Sequence, residues 1–459
     1  MHVRLTTPVG TYASKAGSPV SAELIAPVTS ASGDILLPAG SILNGTVTRS
    51  EKVGYGVRHE TAALDLEFRE VVFPGGGRIP IATRMSEVDN SRERVTEDGI
   101  IRGVRTTSSI SYRASGYIRT ALCWEIHARL AFWAVKMLLL QVPEPEIYYG
   151  PGVELTLWLT QPMAAVPAEE SNPALRPAEL ASLEQELEGM PYRAYTKSNR
   201  PSDLVNVILI GSRAQIAEAF AAAGWTEAKA PSWKARANNV RAVVQGQGYR
   251  QAPMSRMVIN DVEPQMSWQK GLNDVSKRHH IRLWKQPSMW QGQETWVGAA
   301  TRDVDFAYLR PGQPVTHRIE EDIDLERDKI ARDLEFTNCA SVDYWDRPGS
   351  PVTAHNATGD PMSTDGRLAI VRMNACEAPR GIASAEPLRA HGNYFQRLAR
   401  RQILSVRCDF YRQNMYWRSY EATRWLVLAA RHRHPRPQEF RPVESDSMVA
   451  RIKNSSWLR

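Results

Sequence analysis

Two runs constrain the fold more than any other part of the chain: Lys277-Arg278-His279-His280-Ile281-Arg282-Leu283-Trp284 and Trp296-Val297-Gly298-Ala299-Ala300-Thr301-Arg302-Asp303. Side chains on a strand alternate between its faces, so Ile281 and Leu283 share one face while His280, Arg282 and Trp284 share the other. The break between the runs holds Pro287, Gly292 and Gln293, which makes the two runs hairpin partners joined by a loop. With Trp284 opposite Trp296, Arg282 faces Gly298 and His280 faces Ala300. Two such small residues leave room beside an imidazole and a guanidinium, so a polar site is expected on that face.

The full chain has 459 residues, too many for one ordinary core, and two or three domains are expected. Residues 1–160 read as an all-β barrel or sandwich. Leu64, Leu66 and Phe68 alternate with Asp65, Glu67 and Arg69, the turn Pro74-Gly75-Gly76-Gly77 follows, and 153–159 returns to close the sheet. A helical or mixed pattern runs through 114–140. Residues 161–200, with Pro162, Pro167, Pro173 and Pro177, form a Pro/Ala/Glu-rich linker carrying one short acidic helix.

A second domain is expected over 201–375. The apolar run 204–210 fits a central strand. Ser212 and Gln215 have capping-box spacing, and the stripe Ile216, Ala219, Phe220, Ala223 predicts a helix ending at Gly224. Residues 226–276 read as an irregular insertion. After the hairpin, Ile323, Ile330 and Leu334 mark one face of a second helix, and strands follow at 340–345 and 368–373. The order strand, helix, strand, strand, helix, strand is the split βαβ (ferredoxin-like) plan, so the chain is α+β and multidomain. An Arg-rich helical tail occupies 376–459.

A charged content of 23% and an apolar content of 42% are those of an ordinary globular protein. The formal net charge of +7 is local: residues 389–436 hold eleven Arg against Asp409 and Glu421, an excess of +9, which leaves the remainder near −2. Whole-chain basicity is therefore no argument for a nucleic-acid-binding protein. No run of about 18 apolar residues exists, so no transmembrane helix is expected. The opening residues lack the apolar core of a signal peptide. The expectation is a periplasmic or envelope protein whose sequence here starts too late and has lost an export signal, the alternative being a cytoplasmic one. Cys123, Cys339, Cys376 and Cys408 match no metal or redox spacing and read as buried thiols.

The two hairpin runs, together with Thr316-His317, Asp324-Leu325-Glu326-Arg327-Asp328, Gly359-Asp360 and Thr364-Asp365-Gly366, resemble the LssY carboxy-terminal domain family, over roughly residues 197 to 375. That family is named for a component of a bacterial type I secretion locus. The resemblance implies an envelope setting and a link to secretion, with an envelope or secretion-system protein as partner, and implies no reaction. The family's membrane-embedded modules have no counterpart in this chain. Leu37-Pro38-Ala39-Gly40-Ser41 followed by Gly45 is similar to β-barrel modules of conjugation and secretion channels.

Three readings of the polar residues around the hairpin compete. Histidine base, Arg282 or Arg327 as anion holder and Asp303, Asp360 or Asp365 as orienting carboxylates would suit phosphoester or acyl hydrolysis. A metal site is disfavoured because His279 and His280 point to opposite faces. The favoured reading is a satisfied network of His280, Arg282, His317, Asp324 and Arg327 pinning the hairpin to the second helix. It makes the chain a non-enzymatic binding or scaffold protein without cofactor or metal, with the hydrolase as alternative. The loop 356–366 lacks calcium-loop spacing and reads as Asx turns. The 389–436 segment has the charge to meet anionic lipid or nucleic acid, against packing on its own domain.

Overall fold

The computed structural model describes residues 1–30, 34–56, 59–106, 142–162, 177–187, 189–228, 254–274, 276–307, 316–376 and 392–412, with isolated positions elsewhere. The helical pattern expected over 114–140 and most of the insertion between 229 and 253 lie outside these. The chain divides into two compact units, Met1–Leu404 and Ser405–Arg459. Of the second, the described run is the end of one helix.

Six main strands build the N-terminal sheet: β1 (His2–Leu5), β2 (Pro19–Leu24), β3 (Ile42–Glu51), β4 (Ala63–Val72), β5 (Thr83–Val88) and β6 (Glu154–Leu159). The order runs from Arg94–Val95 and Ile101–Arg102 through β4, β3, β2, β1 and β6 to β5. As expected from the sequence, 153–159 closes the sheet, pairing β1 on one side and β5 on the other. The two ends then nearly meet: the Thr83 hydroxyl accepts the Phe68 N–H at 2.9 Å and donates to the Phe68 carbonyl at 3.0 Å. Leu64, Leu66 and Phe68 are buried inside with Val3, Leu24, Leu43 and Leu155.

The second sheet uses β7 (Val207–Ile210), β8 (Met266–Lys270), β9 (Arg278–Trp290), β10 (Gln293–Ala307), β11 (Thr316–Ile319), β12 (Ala340–Asp346) and β13 (Arg367–Met373). Its order is β8, β9, β10, β7, β13, β12, with β11 beside β10. Only β7 and β13 pair in parallel among these. Strand β7 is wholly buried, as a central strand should be. Helices α2 (Arg213–Ala222) and α3 (Asp324–Phe336) cover one face through Ile216, Phe220, Ile330 and Leu334. Helix α1 (Pro177–Leu187) covers the other through Leu183 and Leu187, packed with Met257, Ile259 and Trp284. The acidic helix at the end of the Pro-rich stretch is thus part of this core. Ser212 caps α2 with the reciprocal Gln215 bond, and the chain leaves the helix through Gly224 at φ +76°.

Three expectations need correction. The hairpin has no long loop: its strands run to a two-residue turn at Gln291-Gly292, both at positive φ. A bulge between Lys285 and Met289 takes up Pro287, which has no N–H to give the ladder. Register therefore differs by one residue from the tryptophan pairing. Trp284 faces Val297, Arg282 faces Ala299 and His280 faces Thr301, while Gly298 lies across from Leu283 in the helix-side core. Second, residues 266–270 are not irregular but form β8, the neighbour of β9. Third, Cys339 and Cys376 are bridged, with Cα atoms 4.7 Å apart. Antiparallel pairing of Ala340 with Met373 brings both residues to one end of the β12–β13 ladder, a proximity that their separation of 37 hides in the sequence.

Reducing this bridge is expected to cost about 2–4 kcal/mol, since it closes a long loop of the unfolded chain. A melting temperature unmoved by dithiothreitol, with all four thiols titrating in unreduced denatured protein, would contradict it. Among the described residues no helix is long and apolar enough to cross a membrane.

A candidate polar site on the hairpin

Alternation along β9 sends Arg278, His280 and Arg282 to the α1 side of the sheet, and β10 supplies Ala299, Thr301 and Asp303 opposite them. Asp303 is the hub. Its Oδ1 lies 3.0 Å from His280 Nε2, and its Oδ2 accepts from Arg278 Nη2 at 3.1 Å. His317 on β11 approaches with Nδ1 3.6 Å from Oδ2. Burial alone would raise the Asp303 carboxyl; the His280 ring, helped by Arg278 and His317, outweighs burial and holds it well below the usual carboxylate range. The other His280 nitrogen, Nδ1, lies 3.2 Å from the Thr301 hydroxyl.

Arg282 is held separately. Nη1 donates to Asp203 Oδ2 at 3.2 Å, Nη2 to Ser255 Oγ at 2.8 Å and Nε to the Ser255 carbonyl at 3.3 Å. All three nitrogens are engaged, and the side chain is only 4% exposed. Burial pulls its pKa below the ordinary guanidinium value, against the opposing pull of Asp203 and Asp303. His317 is the accessible member, its side chain 25% exposed. Burial pushes its ring below the ordinary imidazole pKa despite Asp303, which leaves it neutral at pH 7.

The structure thus brings together His280, Asp303 and His317, places Arg282 on the same face with partners of its own, and sets the remaining candidates apart. Asp324, Arg327 and Asp365 form their own cluster: the Arg327 guanidinium bonds Asp324, Asp328, Asp365 and the Arg367 carbonyl, tying α3 to the turn before β13. Asp360 sits in the Asx turn, where Asn356 Oδ1 accepts the Thr358 and Asp360 N–H groups at 3.0 and 2.9 Å. The expected pin between hairpin and second helix exists but is made by His279. That ring bonds Glu326 of α3 through Nδ1, and Asp89 of the N-terminal sheet through Nε2 at 2.7 Å.

Arg278, Thr301, Asp203 and Ser255 escaped the sequence reading. Extending the alternation one step back would have found Arg278, and the true register Thr301; Asp203 and Ser255 come from elements far along the chain. Chemically, the cluster fixes a buried imidazole between a carboxylate and a hydroxyl. Among the described residues no group of three His, Cys, Asp or Glu side chains is placed to hold a metal ion.

A search of curated proteins finds no match to the chain. Residues 187–368, the span that carries the hairpin, helices α2 and α3 and every candidate residue above, match the family model described as the LssY C-terminus, and this part of the chain is an LssY C-terminal domain.

Proposed function

We propose that the protein is a non-enzymatic binding or scaffold module of the cell envelope, linked to secretion, in which the barrel-like sheet and the LssY C-terminal domain act as one body. The observation that carries this reading is that His280 and Arg282 are buried and satisfied. A base or an anion holder must reach its substrate, and neither group has a free hydrogen-bonding nitrogen. The disulfide supports the envelope setting, because such bridges persist in oxidising compartments. We read the second sheet as a split βαβ plan in which β13 is inserted between β7 and β12; the strand directions agree with it.

Replacing His280 and Arg282 by alanine tests the reading. Arg282→Ala leaves Asp203 buried without its cation and is expected to cost about 3 kcal/mol, with no activity toward ester or phosphoester panels in either the parent or the variants. Turnover by the parent that disappears in a still folded His280→Ala protein would favour the second reading, a hydrolase. His317 is the feature in favour of that alternative: a neutral, partly exposed ring backed by Asp303 and Arg278.

A further inference from the structure

Helix α4 (Tyr394–Arg412) packs one face on the barrel and leaves apolar residues on the other. Inward it presents Leu404, buried in the barrel core, and Arg400, whose Nε donates to the Gly54 carbonyl at 2.8 Å and whose Nη2 donates to Glu146 at 2.9 Å. Arg400 Nη1 adds a bond to Glu144. Outward, at spacings of four, it presents Phe395, Ala399 and Ile403, with Phe395 77% and Ile403 47% exposed. The sequence keeps the apolar spacing at Val406 and Phe410. A surface helix that turns a phenylalanine and an isoleucine to water on one stripe exposes what helices bury.

We infer that this outward stripe is a docking face for an anionic lipid bilayer surface. Charge selects the occupant. The segment 389–436 carries eleven Arg against two acids, and along it lie Tyr411, Tyr416, Trp417, Tyr420 and Trp425, aromatics of the kind that settle at the headgroup level. A nucleic acid would meet the same arginines but has nothing to bury Phe395 and Ile403 against. On the docked half Arg400 is held by Glu144 and Glu146, and Arg401 is half-buried beside Glu144, so the helix orientation is fixed by the barrel and the apolar stripe stays outside. The inference rests on the envelope setting proposed above, because a bilayer must be within reach of the folded protein.

The full chain is mixed with phosphatidylcholine vesicles with and without phosphatidylglycerol and floated. The expected result is binding to the phosphatidylglycerol vesicles that weakens with added salt. The variant Phe395→Asp with Ile403→Asp should lower the bound fraction about tenfold while leaving the melting temperature unchanged, since both side chains are exposed. No flotation of the parent, equal flotation of parent and variant, or a parent dimer that the variant abolishes would each overturn the proposal. Cell fractionation separates it from the envelope reading. A chain found in the envelope that ignores vesicles overturns the docking face alone, whereas a cytosolic chain with reduced Cys339 and Cys376 overturns the envelope setting and the docking with it.

Discussion

Glu154→Ala is expected to destabilise the protein by about 4–5 kcal/mol, more than any other single change considered, measured by urea unfolding at neutral pH. Glu154 projects from the last strand of the barrel-like sheet into a buried meeting point of charges. Its Oε1 accepts from Arg4 at 2.7 Å and from Lys270 at 2.6 Å, and its Oε2 accepts from Lys329. Asp333 on α3 completes the group, taking Lys270 at 2.8 Å, Lys329 at 3.0 Å and the Trp225 indole N–H at 2.9 Å. Three cations thus share two carboxylates. Burial alone would raise both carboxyls, and the cations, Lys270 first, hold them below the ordinary range. Removing one carboxylate leaves three buried cations to one acid, and the cost is the desolvation of charges with nothing to balance them. Because Glu154 and Arg4 come from the barrel while Lys270, Lys329 and Asp333 come from the LssY C-terminal domain, the variant should also split a single unfolding transition into two. Removing the exposed Arg69, which pairs with Glu67 on the barrel surface, should leave stability unchanged. A loss under about 1 kcal/mol for Glu154→Ala would mean that water reaches the network and screens it.

That network was invisible in the sequence, and the reason is physical. Local pattern reports which face of its own element a residue occupies. Thus the alternation of Leu64, Leu66 and Phe68, the Ser212 cap, the central strand 207–210 and the return strand over 154–159 were all legible. It reports nothing about which element lies against that face. Arg4 and Glu154 are separated by 150 residues and Lys270 from Glu154 by 116, and a lone charge on a strand reads as solvent-facing until the partner is known. The same limit explains the half-right site. His280 and Asp303 share a face by alternation alone, but the assumed tryptophan pair slipped the register by one, because Pro287 and the tight turn decide it. It also explains the helix pin being assigned to the wrong neighbour: His279 faces α3 and His280 does not, and only the direction of the sheet relative to the helices distinguishes them.

His279 should give the stability curve an alkaline limb. Its ring is buried between Asp89 and Glu326, with Arg302 on the far side of Asp89 at 3.0 Å and the Trp225 ring 6.2 Å away. Burial would lower the imidazole pKa; Asp89 first and Glu326 second overcome it and lift the value to about 9 from 6.5. Since the folded value exceeds the unfolded one, the folded state binds the extra proton between them. The contribution is complete below pH 6.5, declines through the interval and is gone above about pH 9. A gap of that width corresponds to roughly 3 kcal/mol. Other groups pull the opposite way: burial lowers the Met1 ammonium below 8.0, which favours the folded state as pH rises, and His2, lowered to about 4, adds to the acid limb. The difference between parent and His279→Gln removes these shared terms. That difference should be about 3 kcal/mol at pH 6 and shrink toward zero by pH 9.5, as the parent ring loses its proton and both proteins are left with two carboxylates facing a neutral side chain. A difference that stays constant with pH would show that His279 is neutral in the fold and that Asp89 and Glu326 hold a hydrogen bond there in place of a charge.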